Sequence, residues 1–400
     1  MVHEAVRYAG AVLAGLLSLS GVAYSAKLQV AEARLFVGDV GAQIAPLPDG
    51  LLPTGIPRPS YQPPLGVEQR RALRGALYHD PLDARLFNLI YVDGVRTGET
   101  AGQIRHNAEL LGQLGWRYTP AQLNLLFRNL LDNRFDVVLD HIDALLRRRK
   151  LSSVATSMLM TMETIPEGHR EVVDRLQGNP GWRRDYLSVI GPQTSSVTLE
   201  ARTATIAALL RTPQGMTRDE IAPSLNALVA TGRARAAHSL WIRHVRGLPD
   251  GNLVYDPRFQ EVAAAEMSDR RIPFEWSLGA GLNYAARLSQ EGVTISWDRS
   301  GVPTFLSQLV PLSPGRGYAL TVRGRSDTQD LSKLLAPVIT CAATNTRFIV
   351  AASTSGYVRY TASALPESCN MGVLTISGAL DTGAGGVDFG IREITLRTTG

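Results

Sequence analysis

Val293-Thr294-Ile295-Ser296-Trp297 alternates apolar and polar residues without a break, and this phrase decides how the last third of the chain is read. Successive side chains of a strand point to opposite faces, so Val293, Ile295 and Trp297 share one face and Thr294 and Ser296 the other. The same alternation returns at 318–322, where Ala319, Thr321 and Arg323 turn outward, and at 348–350, 358–361, 373–376 and 387–396. Ser313-Pro314-Gly315, Ser355-Gly356 and Thr382-Gly383-Ala384-Gly385-Gly386 separate the runs with the backbone freedom and fixed φ that reversals need. Many short strands punctuated in this way predict an antiparallel β-sandwich over 272–400. The apolar phase slips between Ile391 and Ile394, which predicts a bulge at Arg392-Glu393.

The two cysteines of the chain, Cys341 and Cys369, both fall in this module. Paired, they would close a loop that stabilises the fold by roughly 3–4 kcal/mol, and pairing requires an oxidising compartment. The alternative is two buried free thiols.

Residues 8–26 carry no charge and are rich in Ala, Gly, Leu and Val, between Arg7 and Lys27. The segment is read as an N-terminal membrane anchor continued by a helical extension to residue 43, or as a signal peptide with Ala23 and Ser25 at its cleavage site. Both readings export the bulk of the protein; the first leaves it anchored in the inner membrane and facing the periplasm. Seven prolines then mark a Pro-rich linker over 44–65, which cannot be helix.

Residues 66–250 are helical by periodicity. Leu123, Leu126, Phe127, Leu130 and Leu131 form one stripe, Asp132-Asn133-Arg134 breaks it, and Phe135, Val138, Leu139, Ile142 and Leu146 form the next. An earlier pair runs through Leu86, Leu89 and Ile90, then Ile104, Ala108 and Leu111, and a later one through Leu225, Leu228 and Val229, then Ala236, Ala237 and Leu240. A spacing in the mid-thirties between helical hairpins is the tetratricopeptide range, and stacked hairpins offer a concave surface to other chains. The expected architecture is therefore multidomain α plus β: a membrane helix, a linker, a TPR-like helical repeat domain at 66–250, a connector at 251–271 and the sandwich.

That order resembles a group of proteobacterial envelope proteins in which a segment similar to Asn179-Pro180-Gly181-Trp182-Arg183-Arg184-Asp185-Tyr186-Leu187 lies in the helical part. The C-terminal part is similar to the galactose-binding-like jelly rolls of carbohydrate-binding modules. The matching residues are Phe274-Glu275-Trp276, Gln308-Leu309-Val310-Pro311-Leu312-Ser313-Pro314-Gly315 and Val387-Asp388-Phe389-Gly390-Ile391-Arg392-Glu393-Ile394-Thr395-Leu396. The resemblance implies envelope placement, a role near polysaccharide production, export or secretion, and a glycan as ligand. The calcium-ligand cluster that many such jelly rolls carry near their first strand is missing here.

No phosphate loop, zinc-protease helix or nucleophile elbow occurs in the sequence. His238 and His244 stand six apart on a predicted helix, on different faces, so no metal or cofactor is expected. A net charge of +5 over 400 residues is mild, and nucleic acid is not an expected partner. Arg147-Arg148-Arg149-Lys150 reads as the solvated C-terminus of a helix. Trp276 beside a glycine-rich loop and Tyr357 beside Gly356 are candidate stacking rings for a sugar. Asp298, Arg299, Asn345 and Arg347 are their candidate hydrogen-bonding companions. The expected function is a non-catalytic scaffold or adaptor that binds envelope proteins through its helices and a glycan or subunit through its sandwich. The alternative is a carbohydrate-active enzyme with its cleft in the sandwich, for which Glu275 with Asp298 is an example of a carboxylate pair.

Overall fold

The computed structural model describes residues 64–399 apart from 151, 192, 246, 249–250, 263–269, 328, 342–343 and 380–384. The anchor or signal segment at 1–43 lies outside the described residues, as does the Pro-rich linker up to residue 63. Among the described residues no helix is long and apolar enough to cross a membrane. The chain divides into two compact units, one ending at Arg175 and the other beginning at Leu176.

The first unit is helical: α1 (Val67–His79), α2 (Ala84–Thr97), α3 (Ala101–Leu114), α4 (Thr119–Leu131), α5 (Phe135–Arg147), α6 (Ser152–Glu163) and most of α7 (Pro166–Gln177). Local chemistry sets the ends. Asp83 caps α2 by accepting from the Arg85 N–H at 2.8 Å, Gly98 closes it in the left-handed region, and Thr100 with Gln103 forms a capping box for α3. The two hairpins expected here, α2–α3 and α4–α5, are present.

Helix α4 departs from its expected one-sided stripe. It packs on α2, α3 and α5, so Gln122, Asn124 and Asn129 are buried along with the leucines, while Leu131 is exposed. Its polar groups find partners inside. Asn124 Nδ2 donates to Asn88 Oδ1 at 2.7 Å, joining the first helices of the two hairpins. Gln122 Nε2 donates to the Gly115 carbonyl at 3.3 Å, and its Oε1 lies 2.9 Å from His141 Nδ1. Because an amide oxygen only accepts, Nδ1 carries the proton in that bond. Burial pushes the His141 pKa down to about 4.

The second unit begins with α8 (Arg183–Ser188), α9 (Ser196–Leu209), α10 (Arg218–Ala230) and α11 (Ala234–His244). Arg183, from the Asn179-to-Leu187 segment, is buried; its Nε lies 2.9 Å from Glu220 Oε1, and its Nη atoms donate to the carbonyls of Leu176 and Gly215. Removing one partner of such a pair strands the other charge without water. Helices α10 and α11 seat on the segment that leads into the sandwich. Arg218 forms a two-pronged ion pair with Glu275, Asn226 donates to the Arg271 carbonyl at 2.9 Å, and the His238 ring meets Phe274 edge-on at 5.2 Å. Periodicity alone groups α10 and α11 with the earlier hairpins, whereas their packing groups them with the strands.

The sandwich has two antiparallel sheets. The five-stranded sheet runs β1 (Ser277–Leu278), β4 (Thr304–Pro311), β10 (Met371–Gly378), β6 (Leu335–Cys341), β7 (Thr344–Arg347). The six-stranded sheet runs β2 (Tyr284–Ser289), β3 (Gly292–Trp297), β11 (Val387–Thr399), β5 (Gly317–Ser326), β9 (Tyr357–Ala362), β8 (Ile349–Thr354). Strands pass from sheet to sheet in the jelly-roll-like manner, and the inward residues of both sheets, Ile295, Trp297, Phe305, Leu320, Ile376 and Phe389 among them, form one core. The expected bulge is present: Ile391 pairs with Gly324 and Glu393 with Arg323, leaving Arg392 as the extra residue. Cys341 and Cys369 are disulfide-bonded and buried, with Cα atoms 5.5 Å apart.

Residues 251–262, expected in a connector, pack into this sandwich. Val254, Phe259 and Val262 join its core, and the Leu253 and Ile394 amides exchange bonds with Leu396 and Pro257 carbonyls along the edge of β11 that β3 leaves uncovered. Buried polar side chains fix it from both sides: Asn252, within the segment, accepts from the Leu396 amide at 2.9 Å, and Gln308 of β4 bonds the Tyr255 amide and carbonyl, each at 3.0 Å. Period-two alternation cannot signal such a segment, because it runs as a hydrogen-bonded strap and not as a strand.

Candidate functional site

The bulge builds a cleft on the sandwich. Three glycines bring backbones together here. A β-carbon at Gly292, which has φ +133, would overlap the Ile391 carbonyl oxygen, and one at Gly324 would overlap that of Gly390. With the side chains kept out, the surface opens into a cleft of about 850 Å³ lined by Arg258, Gln260, Glu291, Arg323, Arg392 and Glu393, with Gly292, Gly324 and Gly356 beside them. A smaller hollow of about 350 Å³ continues it along β3 and β11 toward Arg325 and Asp388.

Electrostatics organise the cleft around Glu393. Its carboxylate lies 3.5 Å from Arg258 Nε and 3.6 Å from Arg323 Nη1, while Arg392, carried outward by the bulge, pairs with Glu291. The two arginines beside Glu393 are themselves well exposed, at 67% and 62% of the side chain, so each keeps donor capacity for a ligand. Arg258 is held by the strap. Asp256 accepts from the amides of Gln260 and Glu261 at 2.8 and 2.7 Å, fixing the turn that presents Arg258; burial pushes the Asp256 carboxyl above its ordinary value against the pull of those N–H donors.

The register extends the cleft into a face. Glu393 stands opposite Arg323, Arg323 opposite Tyr357 and Tyr357 opposite Thr354. The next row is Thr395, Thr321, Arg359 and Ala352, and the one after it Arg397, Ala319, Thr361 and Ile349. Directly opposed residues share a face of the sheet, so these rows form its outer surface, with Arg359 and Arg397 exposed.

Of the residues singled out in the sequence, Tyr357 alone falls beside this site, half-buried in the row of Arg323 and Glu393. Trp276 is a correction: it is 4% exposed, packs on Phe259 and donates from Nε1 to the Asp256 carbonyl at 3.1 Å, so it is core and holds the strap in place. Asp298 makes a turn of its own at the end of β3, accepting from the Ser300 amide at 2.8 Å, and Arg299 follows it at φ 66. Asn345 and Arg347 lie on β7, the edge of the other sheet. The six therefore do not converge. Nor do Glu275 and Asp298, since Glu275 is engaged by Arg218. The signals for the site were the outward phase of Arg323 and the slip at Arg392-Glu393; the contributions of Arg258 and Gly292 had none.

The helical unit has a groove of its own, about 540 Å³, lined by Arg105, Arg128, Asn129, Arg134 and His141. Among the described residues no group of three or more His, Cys, Asp or Glu is placed to hold a metal ion.

No protein-family model and no curated protein sequence matches the chain. Solved structures similar to it include TmCBM61 in complex with β-1,4-galactotriose, at 16% identity and a TM-score of 0.25, covering 37% of this chain and 99% of that one. Others are the enzymatically active domain of tailspike protein 4 of bacteriophage CBA120, at 14% identity and 0.24, and PfGH50B, at 9% and 0.23. This chain covers 22% of each of those two. Similarity at these values carries no argument about activity or ligand, and the functional reading rests on the site itself.

Proposed function

We propose that the chain is a non-catalytic scaffold of the bacterial cell envelope, with TPR-like helices that hold a protein partner and a sandwich that binds a glycan. The observation that carries the reading is the cleft at the Arg392 bulge, open to solvent and rimmed by planar hydrogen-bonding side chains suited to sugar hydroxyls. The groove with Arg105, Asn129 and His141 supports the partner-binding half, and the disulfide is consistent with the periplasm. On this reading residues 1–43 anchor the protein in the inner membrane, or direct its export and are cleaved, and the partners are proteins of a polysaccharide synthesis, export or secretion assembly.

A carbohydrate-active enzyme is the second reading, favoured by the presence of Glu291 and Glu393 in one cleft. Both carboxylates are engaged by guanidinium groups, whereas an acid catalyst on a glycosidic bond needs surroundings that keep its proton on. The test is crosslinking and co-purification from native membranes, with the same preparation applied to a glycan array and assayed for sugar release. Recovery of envelope assembly proteins and retention of glycan without cleavage is the expected result. Release of reducing ends that disappears in Glu393→Gln would establish the enzyme instead.

A further inference from the structure

Around Arg359 and Arg397 the outer face of the six-stranded sheet carries more guanidinium groups than carboxylates. Its rows from Glu393 to Ile349 carry Arg323, Arg359 and Arg397, four threonines and one tyrosine, against a single carboxylate that two arginines already share. An arginine on an exposed strand gains stability from an acidic residue directly across. Arg359 is flanked instead by Thr321 and Ala352, and Arg397 faces Ala319. Guanidinium groups donate only, and their planar fork matches a carboxylate with two parallel bonds.

The surroundings disfavour a neutral sugar as the preferred ligand. A neutral pyranose is held chiefly by stacking on an exposed aromatic ring. Tyr357 is the one ring on these rows, and it is half-buried. We propose that this face, continuous with the cleft at Glu393, selects an acidic glycan bearing carboxylates, laid across β9, β5 and β11 so that successive acid groups meet Arg359 and Arg397. The two arginines stand two strands apart and one pleat along, a Cα separation on the order of 12 Å from strand spacing and rise. That span suits successive acid groups on a repeating sugar chain, one to each guanidinium. The proposal rests on the glycan reading above and narrows its ligand class.

The test is calorimetric titration of the full-length protein with polygalacturonate oligomers, their fully methyl-esterified counterparts, neutral galactan, phosphatidylglycerol vesicles and duplex DNA at one ionic strength. Expected is binding to polygalacturonate at least about tenfold tighter than to its ester, weakening as salt rises, since the contacts are exposed and screened. Arg359→Ser with Arg397→Ser should lower that affinity by about tenfold or more without moving the melting temperature, and the paired Arg→Lys variants should fall between, keeping charge but losing the fork. Equal affinity for acid and ester or galactan overturns the proposal and leaves the glycan reading standing. Binding to no glycan overturns both. Equal affinity for vesicles or DNA marks a general anion surface and also overturns it.

Discussion

Between the helices of the first unit lie Asn88, Gln122, Asn124, Asn129 and His141, all buried. The sandwich draws its core from apolar side chains of two sheets, spends Gln308 on one strap, and carries Arg323, Arg359, Arg392 and Arg397 outside. The difference follows from how each kind of element finds its register. Helices can slide or rotate on one another at small cost if only leucines meet, so a buried amide pair such as Asn88–Asn124 singles out one stacking, because a misplaced stacking leaves polar groups unsatisfied. A strand slipped by one residue turns its whole apolar set outward, so alternation alone fixes the sandwich. The outer faces of its strands are then free to carry chemistry.

The largest expected effect tests whether the two cores are energetically separate. Phe305 is fully buried and touches Trp297 and Phe389 at ring-centroid distances of 5.6 Å. Phe305→Ala should cost about 3–5 kcal/mol. Hydrogen exchange should report loss of protection throughout β3, β4 and β11 while α2 to α5 keep theirs. Equal loss in the hairpins would break the comparison.

The next effect belongs to the helices alone. His141 is held near pKa 4 when folded and returns to about 6.5 on unfolding, so between these values the unfolded chain binds more protons. Stability of the hairpins is full above pH 6.5 and should decline by up to about 3 kcal/mol as pH falls toward 4. Exchange rates of α4 and α5 amides measured across that range check it, and His141→Gln should flatten the dependence. A profile that rises with acidity would sink the assignment.

The smallest effect sharpens the role of the buried amides. Asn124→Ala takes away the donor that reaches Asn88 Oδ1 and should cost roughly 1–3 kcal/mol, seen as a lower urea midpoint for the helical transition. Replacing both residues with leucine should recover most of that loss but broaden the transition, since the stacking is no longer singled out. Equal stability and sharpness in all three proteins would mean that the pair carries no specificity.

The sandwich was largely legible because period-two alternation depends only on near neighbours: Val293-Thr294-Ile295-Ser296-Trp297 is β3 nearly to its ends, and the slip before Ile394 located the bulge at Arg392. The hairpins were legible from their stripes and breaks for the same reason. The site was legible only in fragments. Trp276, chosen as a ring beside a glycine-rich loop, is buried under the strap of residues 251–262, and Asn345 and Arg347 went to the edge of the opposite sheet.

By itself, then, the sequence determined the elements, the bulge and the outward phase of Arg323, since local periodicity and turn chemistry are written in consecutive residues. Tertiary structure alone decided that α10 and α11 pack at the entry to the sandwich, that the strap replaces β3 along β11, and that Arg258, Arg323 and Glu393 meet. Those contacts join positions as far apart as Arg258 and Glu393, and their partners are set by which strands become neighbours, a choice made by burial of the whole core and not by any short stretch of the chain.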